Sequence, residues 1–270
     1  MSIDVMRGLT LACMIVVNMA ISPELSWGQL LHSTWDGFTL ADAVYPSFLF
    51  VVGASMALGF DRPDRAGPDW GRILRRSALL VLCGIFVSNF PFGKLDASGV
   101  WTWQSAADLR LPGVLQRIGL AYLIGAAILR TGGAALAFAF AVLVLPCGWW
   151  AAVTLGDLTL GGSAALRIDL AVFGPSHLYT GEHRPFDPEG LLGSLPATAN
   201  LLAGFLALRT LSGPGDRLTT VRRVFLTGLA LVALAVLWSQ WLPFNKKLWS
   251  SSFAVLNIGI DSAVLAALTW

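Results

Sequence analysis

Eight apolar segments dominate the chain of 270 residues, and each is close to the ~20 residues that a helix needs to cross a bilayer. Backbone polar groups cannot stay unpaired in lipid, so such segments span a membrane as helices. Glycines inside them, such as Gly53, Gly84 and Gly125, favour close helix packing. The sequence therefore predicts an all-α, polytopic transmembrane helix bundle of about eight spans. We place the spans at 3–21, 39–60, 73–92, 114–129, 133–155, 191–208, 224–242 and 250–270.

The composition supports a membrane protein and excludes several other classes. Hydrophobic residues make up 56% of the chain and charged residues only 13%, whereas about 25% is usual in soluble domains. The net charge is +2 and no basic run is longer than Arg75–Arg76, which has Arg72 beside it, so we predict no nucleic-acid partner. All three cysteines fall inside apolar segments, which argues against a disulfide framework.

The arginines in the connections predict the orientation. The connections 61–76 and 209–223 are rich in arginine, including Arg62 and Arg65, whereas the connection 22–38 has no Lys or Arg. By the positive-inside rule the two arginine-rich connections and the N-terminus are cytoplasmic. No cleavage motif follows the first segment, so we expect it to remain as an anchor. Five basic residues then lie near the outer face, against the trend: Lys94, Arg110, Arg117, Lys246 and Lys247.

The stretch HSTWDGFTLADAVYPSFLFVVGASMAL, residues 32–58, joins a polar loop to a spanning segment. It places His32 and Asp42 at the edge of the hydrocarbon, where polar groups are costly unless they are paired. Two interpretations of Asp42 stay open, because Thr39 and Asp42 also have the spacing of a helix N-cap pair. His32 is either a solvated loop histidine or a catalytic one.

Asn18, near the outer end of the first segment, can reach the same patch as His32. Its amide bonds a neighbouring helix, orients the imidazole or stabilises an oxyanion, and these alternatives stay open. The chain has no Ser/His/Asp elbow and no HExxH or CxxC spacing. The spacing of His32, His177 and His183 does not require a metal, and we predict none. An imidazole beside amides and carboxylates suits proton or acyl transfer.

Three other outer segments are unusually polar for linkers. They are RLPGVLQRIG at 110–119, GPSHLYTGEHRPFDPEG at 174–190 and PFNKKLWSSSF at 243–253. The connection 156–190 shows no periodicity of its own, and long connections of this kind are more often functional or disordered than plain linkers. The third segment also fits an interfacial turn anchored by Lys246 and Trp249.

Five motifs together resemble the heparan-α-glucosaminide N-acetyltransferase family of membrane acyltransferases, in its bacterial branch. They are SIDVMRGLTLACMIVVN, the 32–58 stretch, RLPGVLQRIGLAY, FDPEGLLGSLPATANLLAG and PFNKKLWSSSF. They occur in the family's order along the whole chain. The resemblance implies a single transmembrane acyltransferase domain over 1–270 that moves acetyl from cytoplasmic acetyl-CoA to a glucosamine amine outside.

The resemblance also implies roles for particular residues. The family's active-site histidine maps to His32, as general base or acetyl acceptor, and its asparagine partner maps to Asn18. Arginines suit the phosphates of CoA, although the first three also fit simple positive-inside topology: Arg72, Arg75, Arg76, Arg110 and Arg117. We assign the acceptor to Trp35, Asp36, His177, Asp187, Glu189 and Lys246, while the three carboxylates among them also fit turn capping.

Two differences from the family limit what the resemblance implies. We expect the N-terminal luminal domain of the eukaryotic members to be missing, which leaves the acceptor sugar open. The chain stops at Trp270 inside its eighth segment, so we expect the C-terminal spans of the family to be missing. The resemblance implies a bacterial inner-membrane protein, in contact with lipid, and a homodimer. A multispan carrier or flippase for an anionic or lipid-linked sugar is the alternative, although no inverted repeat is visible.

Overall fold

The computed structural model describes residues 2–20, 24–60, 69–95, 98–182 and 184–270, except for the side chain of Lys94. Helices account for most of these residues, which confirms the predicted all-α bundle. The helices are α1 (Ser2–Asn18), α2 (Leu40–Phe60), α3 (Trp70–Asn89), α4 (Val114–Thr154), α5 (Ala164–Phe173), α6 (Leu191–Leu211), α7 (Arg217–Trp238) and α8 (Ser251–Thr269). A small antiparallel hairpin of β1 (Gly93–Leu95) and β2 (Trp101–Trp103) follows α3.

Within the described ranges, five helices are long and apolar enough to cross a membrane: α2, α4, α6, α7 and α8. Helix α4 has 41 residues and covers both predicted segments 114–129 and 133–155. The predicted segment 3–21 corresponds to α1, which has only 17 residues. The predicted segment 73–92 corresponds to α3, which has three arginines in its first two turns. These two helices are too short or too polar to qualify by length and composition alone.

Helix α4 bends sharply at Gly133, where φ is 60° and ψ is −154°. The Tyr45 hydroxyl donates to the Val114 carbonyl, and the Ser251 hydroxyl donates to the Leu145 carbonyl. Tyr45 also contacts Trp249, two residues before Ser251, with a ring separation of 5.1 Å. A straight helix would separate Val114 from Leu145 by about 46 Å. The chain therefore reverses at Gly133, as two separate predicted spans require.

Helices α2 and α6 cross closely through small residues. A Cβ on Gly53 would overlap the Leu201 carbonyl, and a Cβ on Gly204 would overlap the Phe50 carbonyl. Side chains of neighbouring helices also occupy the space beside Gly84 and Gly125. The predicted role of these glycines is confirmed, because small residues allow helix backbones to approach. Close approach at these glycines thus packs α2 firmly against α6.

The connection 156–190 contains regular structure that its lack of periodicity did not predict. It contains α5, whose Ser163 N-cap accepts a hydrogen bond from the Leu166 amide, and a short 3₁₀ turn at Pro175–His177. The ten residues of α5 give too few turns for a periodic signal to stand out. The three cysteines lie in α1, α3 and α4 as free thiols.

Asp169 on α5 links this connection to α6, since its carboxylate accepts a hydrogen bond of 2.9 Å from the Leu191 amide. Burial raises the pKa of Asp169 to about 6, with the Asp187 charge adding to the effect. The folded chain therefore holds this proton more tightly than the unfolded chain does. The stabilising effect is complete below about pH 4 and is lost as the pH rises through about 6.

We expect Asp169→Asn to remove this pH dependence, because an amide stays neutral and can still accept from Leu191. Relative to the variant, the wild-type chain should lose on the order of 2–3 kcal/mol of unfolding free energy between pH 4 and 7. Thermal unfolding in detergent, followed by tryptophan fluorescence across that range, measures the difference. Parallel curves for the two chains would contradict the expectation.

Candidate functional site

A cavity of about 480 Å³ opens at one end of the bundle, between the end of α1, the start of α2 and the turn before α8. It brings together residues that are far apart in the sequence. Its walls carry amide, imidazole, phenol, guanidinium, carboxylate and ammonium groups from Asn18, His32, Tyr45, Arg117, Glu189 and Lys246. Concave sites with a few converging polar groups are the usual place for ligand binding.

Asp42 supports one wall of this cavity and is completely buried. Its Oδ2 accepts hydrogen bonds from the backbone N–H groups of Ser33 and Thr39, each at 3.2 Å, and from the Ser33 hydroxyl at 2.8 Å. Its Oδ1 lies 2.9 Å from Nδ1 of His32. One oxygen therefore caps α2, as the N-cap interpretation predicts, and the other faces the imidazole.

The bond to Asp42 defines how His32 presents its ring. A carboxylate beside Nδ1 favours the tautomer in which Nδ1 carries the proton, which leaves the lone pair on Nε2. Nζ of Lys246 lies 3.0 Å from Nδ1 and 3.3 Å from Nε2 of the same ring. It also lies 3.6 Å from Oδ1 of Asp42. The half-exposed His32 ring thus sits between an anion and an amine at the cavity wall.

A tightly bonded turn positions Lys246. Asn245 donates its side-chain amide to Asp36, at 3.1 Å, and accepts from the Leu248 backbone, at 2.8 Å. Trp249 is 1% exposed and adopts a φ of 51°, which is rare for a bulky residue. Its indole N–H donates to Asn200 at 3.1 Å. The buried Trp249 thereby fixes the turn to the core of the bundle.

Arg110 is half-buried at the edge of the cavity and pairs with two carboxylates, Asp187 and Glu189; we call these ion pairs the Arg110 clasp. Its Nε and Nη2 each donate to the Asp187 carboxylate at 2.8 Å, and Nη2 also reaches Glu189 at 2.7 Å. Burial lowers the pKa of Arg110, but the two carboxylates outweigh this effect and raise it above its ordinary value. Asp187 is fully buried, so the arginine neutralises a charge that water cannot reach.

We expect Arg110→Met to destabilise the fold by about 3–5 kcal/mol, because it leaves Asp187 buried and unpaired. Arg72→Met is a matched control, since the Arg72–Asp69 pair is mostly exposed and is worth at most about 1 kcal/mol. Unfolding of both variants in detergent measures the difference. Equal stability of the two variants would show that the clasp is not structural.

Arg117 lies deeper and is only 2% exposed. Its Nη2 donates to the carbonyls of Pro188 and Gly190, and its guanidinium stacks on Trp249 at 4.9 Å. Its Nε and Nη1 have no partner among the described residues. Beside it, burial raises the pKa of Glu189, although the charge on Arg117 opposes this shift. A guanidinium that can donate hydrogen bonds and a carboxyl group that can accept them therefore line this side of the cavity.

The structure brings only some of the predicted acceptor residues to the cavity, namely Glu189 and Lys246. Trp35 packs on Phe186 and donates to the Leu158 carbonyl, while Asp36 bonds the 245 turn. Nδ1 of His177 lies 2.7 Å from the Leu109 carbonyl, outside the cavity wall, and Asp187 is engaged by Arg110. His183, Arg62 and Arg65 lie outside the described residues.

The arginines predicted for CoA separate into two places. Arg117 lines the cavity that contains His32, which the predicted orientation places outside and which we call the outer cavity, and Arg110 is engaged by Asp187 and Glu189. At the opposite end of α2, Arg76 lines a second cavity of about 240 Å³ with Ser55 and Tyr122. Arg72 pairs with Asp69 at the surface, and Arg75 is exposed. Of the predicted trio, only Arg76 therefore lines this second cavity.

Sequence reasoning missed three residues of the outer cavity: Tyr45, Glu182 and Lys247. Tyr45 sits one turn beyond Asp42 on α2, so helical spacing was an available signal. Lys247 pairs with Glu182 at 2.7 Å, across 65 positions of sequence, and local sequence contains no signal for such a pair. Sequence analysis named Asp42 but did not predict its hydrogen bond to His32.

Comparison with known proteins assigns this arrangement to a family. The family profile described as heparan-alpha-glucosaminide N-acetyltransferase, catalytic, matches residues 1–174, more than half of the chain. The heparan-alpha-glucosaminide N-acetyltransferase of Mus musculus is 27% identical over 310 aligned residues, covering 93% of this chain and 46% of that protein. The Homo sapiens protein of the same name is 27% identical over 311, covering 93% and 45%. The chain spans about half the length of these relatives, and it belongs to the heparan-alpha-glucosaminide N-acetyltransferase family.

Proposed function

We propose that this chain transfers an acetyl group from acetyl-CoA to the amine of a glucosamine-type sugar, and that the outer cavity is where the transfer occurs. One observation carries the proposal: Asp42 holds Nδ1 of His32, so that Nε2 is left as the basic nitrogen at a 480 Å³ cavity. The names of the relatives support an amino-sugar acceptor and an acetyl donor.

Two routes use His32 in different ways. As a general base, Nε2 accepts a proton from the attacking amine, which must be neutral to be nucleophilic. As a nucleophile, Nε2 attacks the thioester carbonyl and carries the acetyl group before the sugar receives it. In either route Asp42 stabilises the positive charge that develops on the ring.

Asn18 and Lys246 suit the charge that develops on oxygen. Both line the cavity that contains His32, and each offers N–H donors. A donor aimed at the tetrahedral oxyanion is worth about 2.7–4 kcal/mol in well-studied acyl-transfer enzymes. We assign Asn18 to this role rather than to orienting the ring, since Asp42 already bonds Nδ1.

The donor is proposed to enter from the cytoplasmic end of α2. The second cavity there has cationic and hydroxyl groups that suit a polyanion, because Arg76 lines it and Arg7 bonds its Ser55 at 2.9 Å. The Tyr122 hydroxyl is buried without a partner among the described residues. Thirteen residues of helix separate Asp42 from Ser55, or about 20 Å, a distance that suits the long pantetheine arm of CoA.

The proposal also includes an N-terminus on the cytoplasmic side of a bacterial inner membrane, a glycan acceptor outside, and contact with lipid around a single domain. The homodimer stays a prediction. Five helices apolar enough to span a membrane support this setting.

The test is acetyl transfer by the full-length protein. Membranes that contain it are incubated with radiolabelled acetyl-CoA, with and without glucosamine, and label is followed in both protein and sugar. We expect label in the sugar. If a folded protein labels no amino sugar, the acetyltransferase proposal is wrong, and uptake of a lipid-linked sugar would be the next measurement.

A further inference from the structure

We propose that Lys246 is itself an acetyl acceptor, so that the chain acetylates the Nζ of this lysine when no sugar occupies the cavity. This inference rests on the proposed acetyl transfer at His32. It concerns a covalent modification site rather than the acceptor of the main reaction.

The geometry of Lys246 is that of a competing amine nucleophile. Its Nζ lies 3.3 Å from Nε2 of His32, the nitrogen that would carry or direct the acetyl group. An acetyl carbon carried on Nε2 would therefore lie close to Nζ, and near-attack geometry requires about 3–3.5 Å between the two atoms that form the new bond. The amine of a sugar must approach the same acetyl carbon, so the lysine competes with the substrate. The bonded turn at 245–250 keeps it there.

The environment of Lys246 also favours its reactive form. Burial lowers the pKa of this lysine and the nearby charge of Arg117 lowers it further, against the opposing effects of Asp42 and Glu189. A larger fraction of Lys246 is therefore neutral than of a lysine at the surface, and only the neutral amine is nucleophilic. The neighbouring Lys247 differs, because it is held in an ion pair with Glu182 at 2.7 Å.

The chemistry balances without any further reactant. The C–S bond of acetyl-CoA breaks and a C–N bond to Nζ forms, either through acetyl-His32 or directly. Of the three hydrogens on the lysine ammonium, one stays on the amide, one leaves on the thiol of CoA, and one is released to solvent. The products are N-acetyl-lysine, free CoA and one proton.

Acetylation would switch the site off. The amide has no positive charge, so it loses the 3.6 Å contact with the Asp42 carboxylate. Its acetyl group also fills the part of the cavity beside His32. We therefore expect transfer activity to fall in proportion to the acetylated fraction, and glucosamine to protect the enzyme by consuming the donor.

The experiment uses the purified full chain in nanodiscs with isotopically labelled acetyl-CoA and no sugar. Peptide mapping by mass spectrometry after hydroxylamine treatment, which removes acyl-histidine, should locate stable label on Lys246. Label there should drop at least about tenfold in His32→Ala, in line with the loss of acid–base or nucleophilic catalysis. Glucosamine should also reduce it. Lys246→Arg keeps the charge and should carry no label at this position, while His177→Ala, which changes a histidine outside the cavity, should be labelled at Lys246 like the unaltered chain.

The outcomes separate this inference from the proposed function. Transfer to glucosamine without label on Lys246 overturns the inference and leaves the function intact. Absence of both overturns the function as well. Equal label on Lys246 and Lys247 that persists in His32→Ala indicates spontaneous chemical acetylation and also overturns the inference. Mapping on the unaltered chain gives these answers even if a variant fails to fold.

Discussion

His32→Ala should lower the rate of acetyl transfer to glucosamine by about 10²–10⁴-fold, the usual contribution of a positioned acid–base or nucleophilic group. The fold should survive, because the imidazole side chain is 50% exposed and Lys246 still lies 3.6 Å from the buried Asp42 carboxylate. The measurement is the initial rate with labelled acetyl-CoA, beside thermal unfolding of the same preparation.

His177→Ala is the matched control for this substitution. His177 is the other histidine that the structure describes, and its Nδ1 contacts the Leu109 carbonyl outside the cavity. Its loss should leave most of the activity. Added imidazole should partly restore His32→Ala if the ring acts as a base that the cavity can accommodate. A His32→Ala variant that keeps most of the wild-type rate would remove His32 from the chemistry.

Asp42→Asn should keep the fold and still lose about 10²–10⁴-fold in rate. The fixed backbone N–H groups of Ser33 and Thr39 both point at Oδ2, so the amide oxygen of the asparagine will occupy that place. Its NH₂ group then faces Nδ1 of His32, which has to accept a hydrogen bond rather than donate one. The proton moves to Nε2, and the basic nitrogen at the cavity is lost. The corresponding change in serine-protease triads costs about 10⁴ in kcat.

Asp36→Asn supplies the charge-matched control, since Asp36 lies in the same motif but bonds the Asn245 amide instead of the histidine. Asp42→Ala should fail in a different way, because it removes the cap of α2 as well as the histidine partner, and a lost cap costs about 0.5–2 kcal/mol. Rates and unfolding temperatures for the three variants separate catalysis from folding. Equal rates for Asp42→Asn and Asp36→Asn would show that the tautomer of His32 does not matter.

The sequence predicted the fold because helix formation in a membrane depends on local patterns, and the family resemblance pointed to His32 and Asn18, which the structure brings to one cavity. Spanning helices follow from apolar length alone. His32 and Asp42 are ten positions apart, across a short loop and the start of α2, so their proximity was within reach of sequence reasoning. The assignments that the structure leaves outside the cavity involve long connections. Asp187 looked available for a substrate, but Arg110 engages it across 77 positions of sequence.

The sequence could not predict which polar and aromatic side chains are buried or which residues they contact. Trp35 and His177 are the residue types that often bind sugars, yet both are used for packing and backbone hydrogen bonds. The contact between Lys246 and His32 spans 214 positions and depends on where the core sets the turn before α8. The family resemblance pointed to His32, whereas only the fold shows that the Lys246 amine lies next to it.

The left-handed conformation of Trp249 has a consequence for which acceptors this family member can evolve to use. Such a backbone persists only where surrounding contacts over-determine it, and here the indole is enclosed by Tyr45, Phe253 and Arg117. The Lys246 side of the cavity therefore cannot move outward without displacing a core tryptophan. Met14 and Val17 of α1 line the same cavity. We expect variants selected for a bulkier acceptor to change α1 rather than the turn before α8.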